Sequence, residues 1–178
     1  VTSAPCAATS TGAVMTATSK WKGATSAELD ITISYGNNAA GLAYSQTTST
    51  DGAGAVSLAD SLSQFGDDWY TMIVNPYGKA HLDTLEAFNG VPNDVAPTGR
   101  YSGLIYKPFC AYFGSTLSDK DDLATITNDS ARVSQVTNVL CPAPGSKGFS
   151  FEAAANVVAI ASVVYQNNPN LDVNNLSY

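Results

Sequence analysis

The sequence is short of almost every residue type that carries chemistry. Its 178 residues hold one histidine, three cysteines and two tryptophans, and only 13% are charged. Eight Lys and Arg face fifteen Asp and Glu, a formal net charge of -7. This balance argues against nucleic-acid binding through a basic face and against docking on anionic lipid. No apolar run reaches the ~20 residues that span a bilayer, and the nearest, Phe151 to Tyr165, carries Glu152 and Asn156. Val1 to Ser10 hold neither the basic nor the apolar region of a signal peptide, a segment that a mature secreted chain has lost. Three cysteines make no disulfide framework. Cys110, within Phe109-Cys110-Ala111-Tyr112-Phe113, and Cys141, after Val139-Leu140, read as reduced core residues, which fits folding in a cytoplasm.

What is abundant is small. The chain has 19 Ser, 17 Thr and 25 Ala, and hydrophobic residues make up 44%. That composition buries a core and excludes high-charge disorder. A surface of small polar groups costs little to desolvate against a neighbour.

Two portions are expected. Residues 1–55 read as β-rich: Leu29, Ile31, Ile33 and Tyr35 alternate with polar residues, Gly36-Asn37-Asn38 forms a turn, and Gly41 to Thr47 supplies a partner strand. Thr2 to Thr18 offer few large apolar groups and are expected to be the loosest part. Residues 56–178 alternate helix and strand. Ser57 is expected to cap a helix carrying Leu58, Leu62 and Phe65, ending at Gly66. Trp69 to Val74 reads as a buried strand with Trp69 in the core. Lys79 to Phe88 reads as a helix, followed by a loop bracketed by Pro92 and Pro97. Phe109 to Phe113 is the next strand, Ser118 caps an acidic-headed helix, Val136 to Leu140 is a strand, and Ser150 caps a last helix to about Asn167. That helix is apolar nearly all round, so it is expected to be buried on several sides, by the core or by another subunit. The fold class is therefore α/β (α+β): a central mixed sheet flanked by helices, with a β-rich N-terminal portion.

Catalytic motifs are sparse. His81 is expected on the solvent face of its helix, a poor place for a Ser-His-Asp triad, and Gly145-Ser146-Lys147-Gly148 lacks the spacing of a nucleophile elbow. Asp119-Lys120-Asp121-Asp122 invites a calcium reading, but the sixth and twelfth positions hold Ala124 and Ser130 instead of Gly and Glu. Carboxylates at a helix start are the plainer account. Glu28, Asp30, Asp67 and Asp68 could furnish a glycosidase pair, though no spacing brings two of them together. Dinucleotide and P-loop fingerprints are absent, as is any Cys/His metal spacing. Asn128-Asp129-Ser130 and Asn175-Leu176-Ser177 match the glycosylation triplet, which is short enough to arise by chance.

The order of segments, however, resembles the tail sheath proteins of contractile-tailed phages, in their Mu-like branch. Three stretches carry the likeness. Lys22-Gly23-Ala24-Thr25-Ser26-Ala27-Glu28-Leu29-Asp30-Ile31 is similar to the family's lead into a strand. Leu58 to Pro76, centred on Phe65-Gly66-Asp67-Asp68-Trp69-Tyr70, looks like its helix and buried strand. Gly114-Ser115-Thr116 through Asn128-Asp129 and Pro144-Gly145-Ser146 to the Ala-rich helix and Asn168-Pro169 looks like its C-terminal core. Lys147-Gly148-Phe149-Ser150-Phe151 departs from the aromatic and Pro residues usual at the entry to that helix.

The resemblance implies a core lacking the family's terminal arms and C-terminal domain. It implies a structural subunit without enzymatic activity or cofactor, and without catalytic, cofactor-binding or metal residues. Such a subunit self-assembles into helical sheath rings, with the tail tube protein and the baseplate as partners and no nucleic acid or membrane. Contraction drives the tube through the host envelope during genome ejection. The location implied is the virion tail, assembled in host cytoplasm. Two alternatives stand beside it: the sheath of a phage-derived injection machine (a bacteriocin or secretion system), and an extracellular carbohydrate-active or carbohydrate-binding module.

Overall fold

The computed structural model describes residues 4–23, 26, 29, 45, 50–92, 95–117 and 137–170. The chain divides into two compact units, Val1–Val56 and Ser57–Tyr178.

In the first unit, β1 (Cys6–Thr11) and β2 (Val14–Ser19) form an antiparallel hairpin registered from Cys6 opposite Ser19 to Thr11 opposite Val14. Gly12 makes the two-residue turn possible, because its φ of +60 is the left-handed value such turns demand. The segment expected to be loosest is thus a registered hairpin. Nearly all its side chains are exposed, so backbone pairing rather than a buried face defines it. The strands expected at Leu29–Tyr35 and Gly41–Thr47 lie almost wholly outside the described residues.

The second unit carries a parallel sheet of β3 (Met72–Asn75), β4 (Cys110–Ser115) and β5 (Asn138–Pro142), in that order. With the hairpin, it makes an α/β fold of mixed strand direction. Alternation along β4 sends Ala111 and Phe113 to one face and Cys110, Tyr112 and Gly114 to the other. On the first face, α1 (Ala59–Ser63) and α2 (Leu82–Asn89) bring Leu62, Leu85 and Leu82 against Phe109, Ala111 and Phe113. On the second, α3 (Ser150–Asn167) crosses all three strands. Gly114 permits this: a Cβ there would stand 1.6 Å from the Ser150 carbonyl oxygen.

Several expected boundaries move, each for a local reason. Leu58, not Ser57, precedes α1, and no side chain caps it. The helix lasts five residues because Gly66, at φ +47, turns the chain. β3 begins at Met72 rather than Trp69, since its ladder starts opposite Cys110. Trp69 is therefore 54% exposed, with its indole N–H donating to the Pro108 carbonyl at 2.8 Å. The helix expected from Lys79 opens as a 3-10 turn, Gly78–His81. His81 consequently leaves the helical face assigned to it: its ring stands edge-on to Tyr77 at 5.4 Å, and Nε2 is buried without a hydrogen-bond partner. β5 starts two residues later than expected and takes in Cys141, which is buried, whereas Cys110 at the edge of the core is half-buried. Ser150 is the first helical residue of α3, not its cap; Glu152 caps the helix by accepting the Phe149 N–H at 3.2 Å.

The last helix also differs in burial. Only Ser150, Ala154 and Ala161 are buried, while Ala155, Ala159, Val163 and Tyr165 face outward. An alanine counts as apolar in a sequence pattern but loses little by standing in water, and the chain's own core covers one face of this helix. The helix expected from Ser118, with Asp119, Asp121 and Asp122, lies outside the described residues, as do Glu28, Asp30 and both glycosylation triplets.

Candidate functional site

The densest set of unusual features lies between α2 and β4. Two glycines close the base of this loop. A Cβ on Gly90 would meet the Thr98 carbonyl oxygen at 2.1 Å, and one on Gly99 would meet Asn89 backbone at 2.8 Å. Both have positive φ, so the chain makes a crossing there that only glycine allows. A 3-10 turn, Gly99–Tyr101, then sends Arg100 inward.

Arg100 is 5% exposed. Its guanidinium lies 5.6 Å from the ring centres of both Phe65 and Phe88. Nε donates to the Lys107 carbonyl at 2.8 Å and Nη2 to the Asp68 carbonyl at 2.7 Å. A buried cation costs heavily unless it is bonded and faces π-density, and here both conditions hold. The side chain thus ties three pieces of chain together. Lys107 Nζ adds a bond to the Asp67 carbonyl.

Anchored this way, the loop projects its tip outward. Ile105 and Tyr106 N–H both donate to the Ser102 carbonyl, at 3.0 and 2.7 Å, and Lys107 N–H donates to the Arg100 carbonyl at 2.8 Å. Tyr106 has φ +41, an unfavourable value for a residue with a bulky side chain. The tip carries Leu104 at 98% exposure, Tyr106 at 64%, and a half-exposed Ile105. Trp69 and Tyr70, also exposed, sit on the neighbouring segment that Arg100 and Lys107 hold.

A second feature lies on the same unit. α1 and the carboxyl end of β3 enclose an open apolar groove of about 230 Å³, lined by Leu58, Leu62, Phe65, Ile73, Pro76 and Tyr77, with Ser61 at its exposed rim.

Beneath the loop, the amino ends of β4 and β5 are stitched to α2 by two amides, one buried and one half-buried. Asn89 is wholly buried; Oδ1 accepts the Phe109 N–H at 3.0 Å, and Nδ2 donates to the Phe109 carbonyl at 2.9 Å and to Thr137 Oγ1 at 2.8 Å. Asn138 Nδ2 donates to Glu86 Oε1 at 2.7 Å and to the Leu82 carbonyl at 3.2 Å. These bonds satisfy polar groups that would otherwise be costly inside the fold, though Asn138 Oδ1 is buried without a hydrogen-bond partner.

Burial acts on the two thiols and a tyrosine of β4 and β5. Burial raises the pKa of Cys110 and of Cys141. Burial, followed by neighbouring Cys110, Tyr165 and Cys141, raises that of Tyr112. Both core thiols therefore stay protonated at neutral pH, the less nucleophilic form. Asp67 and Asp68 are exposed and lend their carbonyl oxygens, not their carboxylates, to the loop anchor. Among the described residues no three of His, Cys, Asp and Glu gather in a metal-holding group, and no helix is long and apolar enough to cross a membrane.

Sequence reasoning singled out neither the loop tip nor Arg100. Leu104-Ile105-Tyr106 is an apolar triplet outside any helical or strand period, set between Gly103 and Lys107-Pro108, and that was the available signal. Compared with protein-family models, with curated proteins and with solved structures, the chain matches none.

Proposed function

We propose that this chain is a structural subunit that works by self-association, specifically a contractile phage tail sheath subunit that assembles around the tail tube and contracts to drive it through the host envelope. The observation that carries the reading is the anchored loop. A buried, multiply bonded arginine fixes a tip whose large apolar side chains stand in water. Exposed apolar clusters of this kind mark interaction sites. Contacts between apolar surfaces are non-directional, so one pair of surfaces can serve two packing arrangements, the requirement for a sheath that is metastable when extended. The low charge and the small-residue surface favour close packing of copies. The order of sequence segments supplies the more specific part of the reading.

Labelling tests it. Gold-conjugated antibody against this chain should decorate the tail of intact particles along its length and follow the sheath when it shortens. Labelling confined to a baseplate, a fibre or the capsid would reject the assignment.

The exposure of Trp69 beside Tyr70 and the Asp67-Asp68 carboxylates favours one other reading, a carbohydrate-binding surface, since aromatic rings and carboxylates together suit sugar recognition. Glycan-array binding that disappears in Trp69→Ala would support it over the sheath.

A further inference from the structure

The groove beside α1 and the anchor of the projecting loop share one side chain. Phe65 lines the groove, and its ring is also one of the two that face the Arg100 guanidinium, at 5.6 Å. The same ring stands edge-on to Tyr70, Phe88 and Phe109, with centres 5.1, 5.8 and 5.9 Å away. Backbone makes a second link. The Phe65 carbonyl accepts the Asp68 N–H at 2.9 Å, and the Asp68 carbonyl accepts Arg100 Nη2 at 2.7 Å. We propose that this shared wall is a conformational latch: an apolar group pressed into the groove displaces Phe65, slackens the Arg100 anchor and frees the loop of residues 101–107. The latch is a property of one molecule. It goes beyond the reading of the chain as a sheath subunit and stands or falls separately from it.

Three features make this arrangement a latch rather than a rigid wall. First, Phe65 follows a helix of only five residues and precedes Gly66, at φ +47, so a single short element positions it on the groove side. Second, close-packed rings pass a displacement on to their neighbours, because no void absorbs it. Arg100 cannot follow such a shift freely, since Nε and Nη2 are fixed on the Lys107 and Asp68 carbonyls. Moving Phe65 and Asp68 therefore strains the Asp68 bond and draws π-density away from a buried cation, whose burial depends on both. Third, the loop has a state to relax into. Tyr106 is held at φ +41, an unfavourable backbone conformation that persists only while the surroundings impose it. Energetic coupling between two sites is reciprocal, so a freed loop also loosens the wall of the groove.

Amide hydrogen exchange on the full chain tests the latch. Ser61→Trp sets an indole at the rim of the groove, and Ser63→Trp, exposed on the same helix but outside the groove, is its control. The Lys107 amide, which donates to the Arg100 carbonyl at 2.8 Å, reports the anchor. The Ala111 amide, which donates to the Thr137 carbonyl at 2.7 Å, reports the unit as a whole. Ser61→Trp should speed exchange at Lys107 about tenfold, within the range usual for coupled sites, and leave Ala111 unchanged. Ser63→Trp should change neither. Phe65→Leu withdraws the ring from groove and guanidinium together and should speed Lys107 by more than Ala111. In the Arg100→Met background, where the anchor is already gone, Ser61→Trp should add nothing, because changes that act through one contact are not additive. Unchanged Lys107 exchange in Ser61→Trp or in Phe65→Leu would overturn the proposal. So would a rise that Ala111 or the Ser63→Trp protein matches, or one that persists in full without Arg100. None of these readouts depends on assembly, so their failure leaves the sheath reading where it stands, and absence of tubes leaves the latch where it stands.

Discussion

Replacing Gly114 with Ala isolates the contact that sets α3 on the sheet. Gly114 has an ordinary extended backbone; what it supplies is the missing side chain. The added Cβ would lie 1.6 Å from the Ser150 carbonyl oxygen and 2.3 Å from its carbon, whereas ordinary contacts begin near 3.4 Å. The start of α3 would have to retreat by close to 2 Å. Both obstructing atoms are backbone, so no rotamer change relieves the overlap. Overpacking of this sort costs about 1–3 kcal/mol, and a displaced helix start belongs at the upper end. For a unit of this size each kcal/mol lowers Tm by roughly 3–5 °C, so a fall of about 10 °C is expected. Gly103→Ala is the control: no atom lies within 4 Å of the Cβ that would be added, and the change should stay within ~0.5 kcal/mol. Thermal melts followed by circular dichroism decide it. Indistinguishable melts for the two variants would refute the close approach of α3 to β4.

Other expectations follow the same logic. Ala154→Asp should unfold the second unit, because a buried unpaired carboxylate costs several kcal/mol, whereas Ala155→Asp, one residue on and exposed, should leave the melt unchanged. Asn89→Ala should cost about 3 kcal/mol in urea denaturation, since it strands the Phe109 N–H and carbonyl inside the fold. Arg100→Met should speed proteolysis within residues 101–108, by releasing the Lys107 and Asp68 carbonyls; an unchanged cleavage rate would show that the loop does not depend on its anchor. Stability should also fall in alkali. The folded pKa values of Cys110, Cys141 and Tyr112 are raised, so the unfolded chain loses its protons first and gains stability once pH exceeds the ordinary thiol value of 9.0. The stabilising preference is complete below that pH and is lost as pH rises toward the folded values. Cys141→Ala should reduce the fall of stability as pH rises above 9.0.

The parts of the fold legible in sequence were those announced by continuous apolar runs. Phe109 to Phe113 gave β4 to within two residues, and the Ala- and Val-rich stretch after Ser150 gave α3 nearly whole. The hairpin of β1 and β2 was illegible because neither strand has a buried face, so no period-two alternation marks it. Trp69 was misplaced because it opens the apolar run to Val74, while its exposure is decided by the β3–β4 register, set some forty residues away. The buried roles of Asn89 and Arg100 were hidden for the same reason. Each is a single polar residue whose burial is settled by partners as distant as Thr137 and Asp68, which no local window contains.

The proposed role is that of a self-assembling sheath subunit, and electron microscopy of this protein alone, purified and concentrated, tests it most directly. The account predicts hollow helical tubes of uniform diameter, with subunits stacked in rings. A field of dispersed single molecules at the highest attainable concentration, under every salt condition tried, would contradict it.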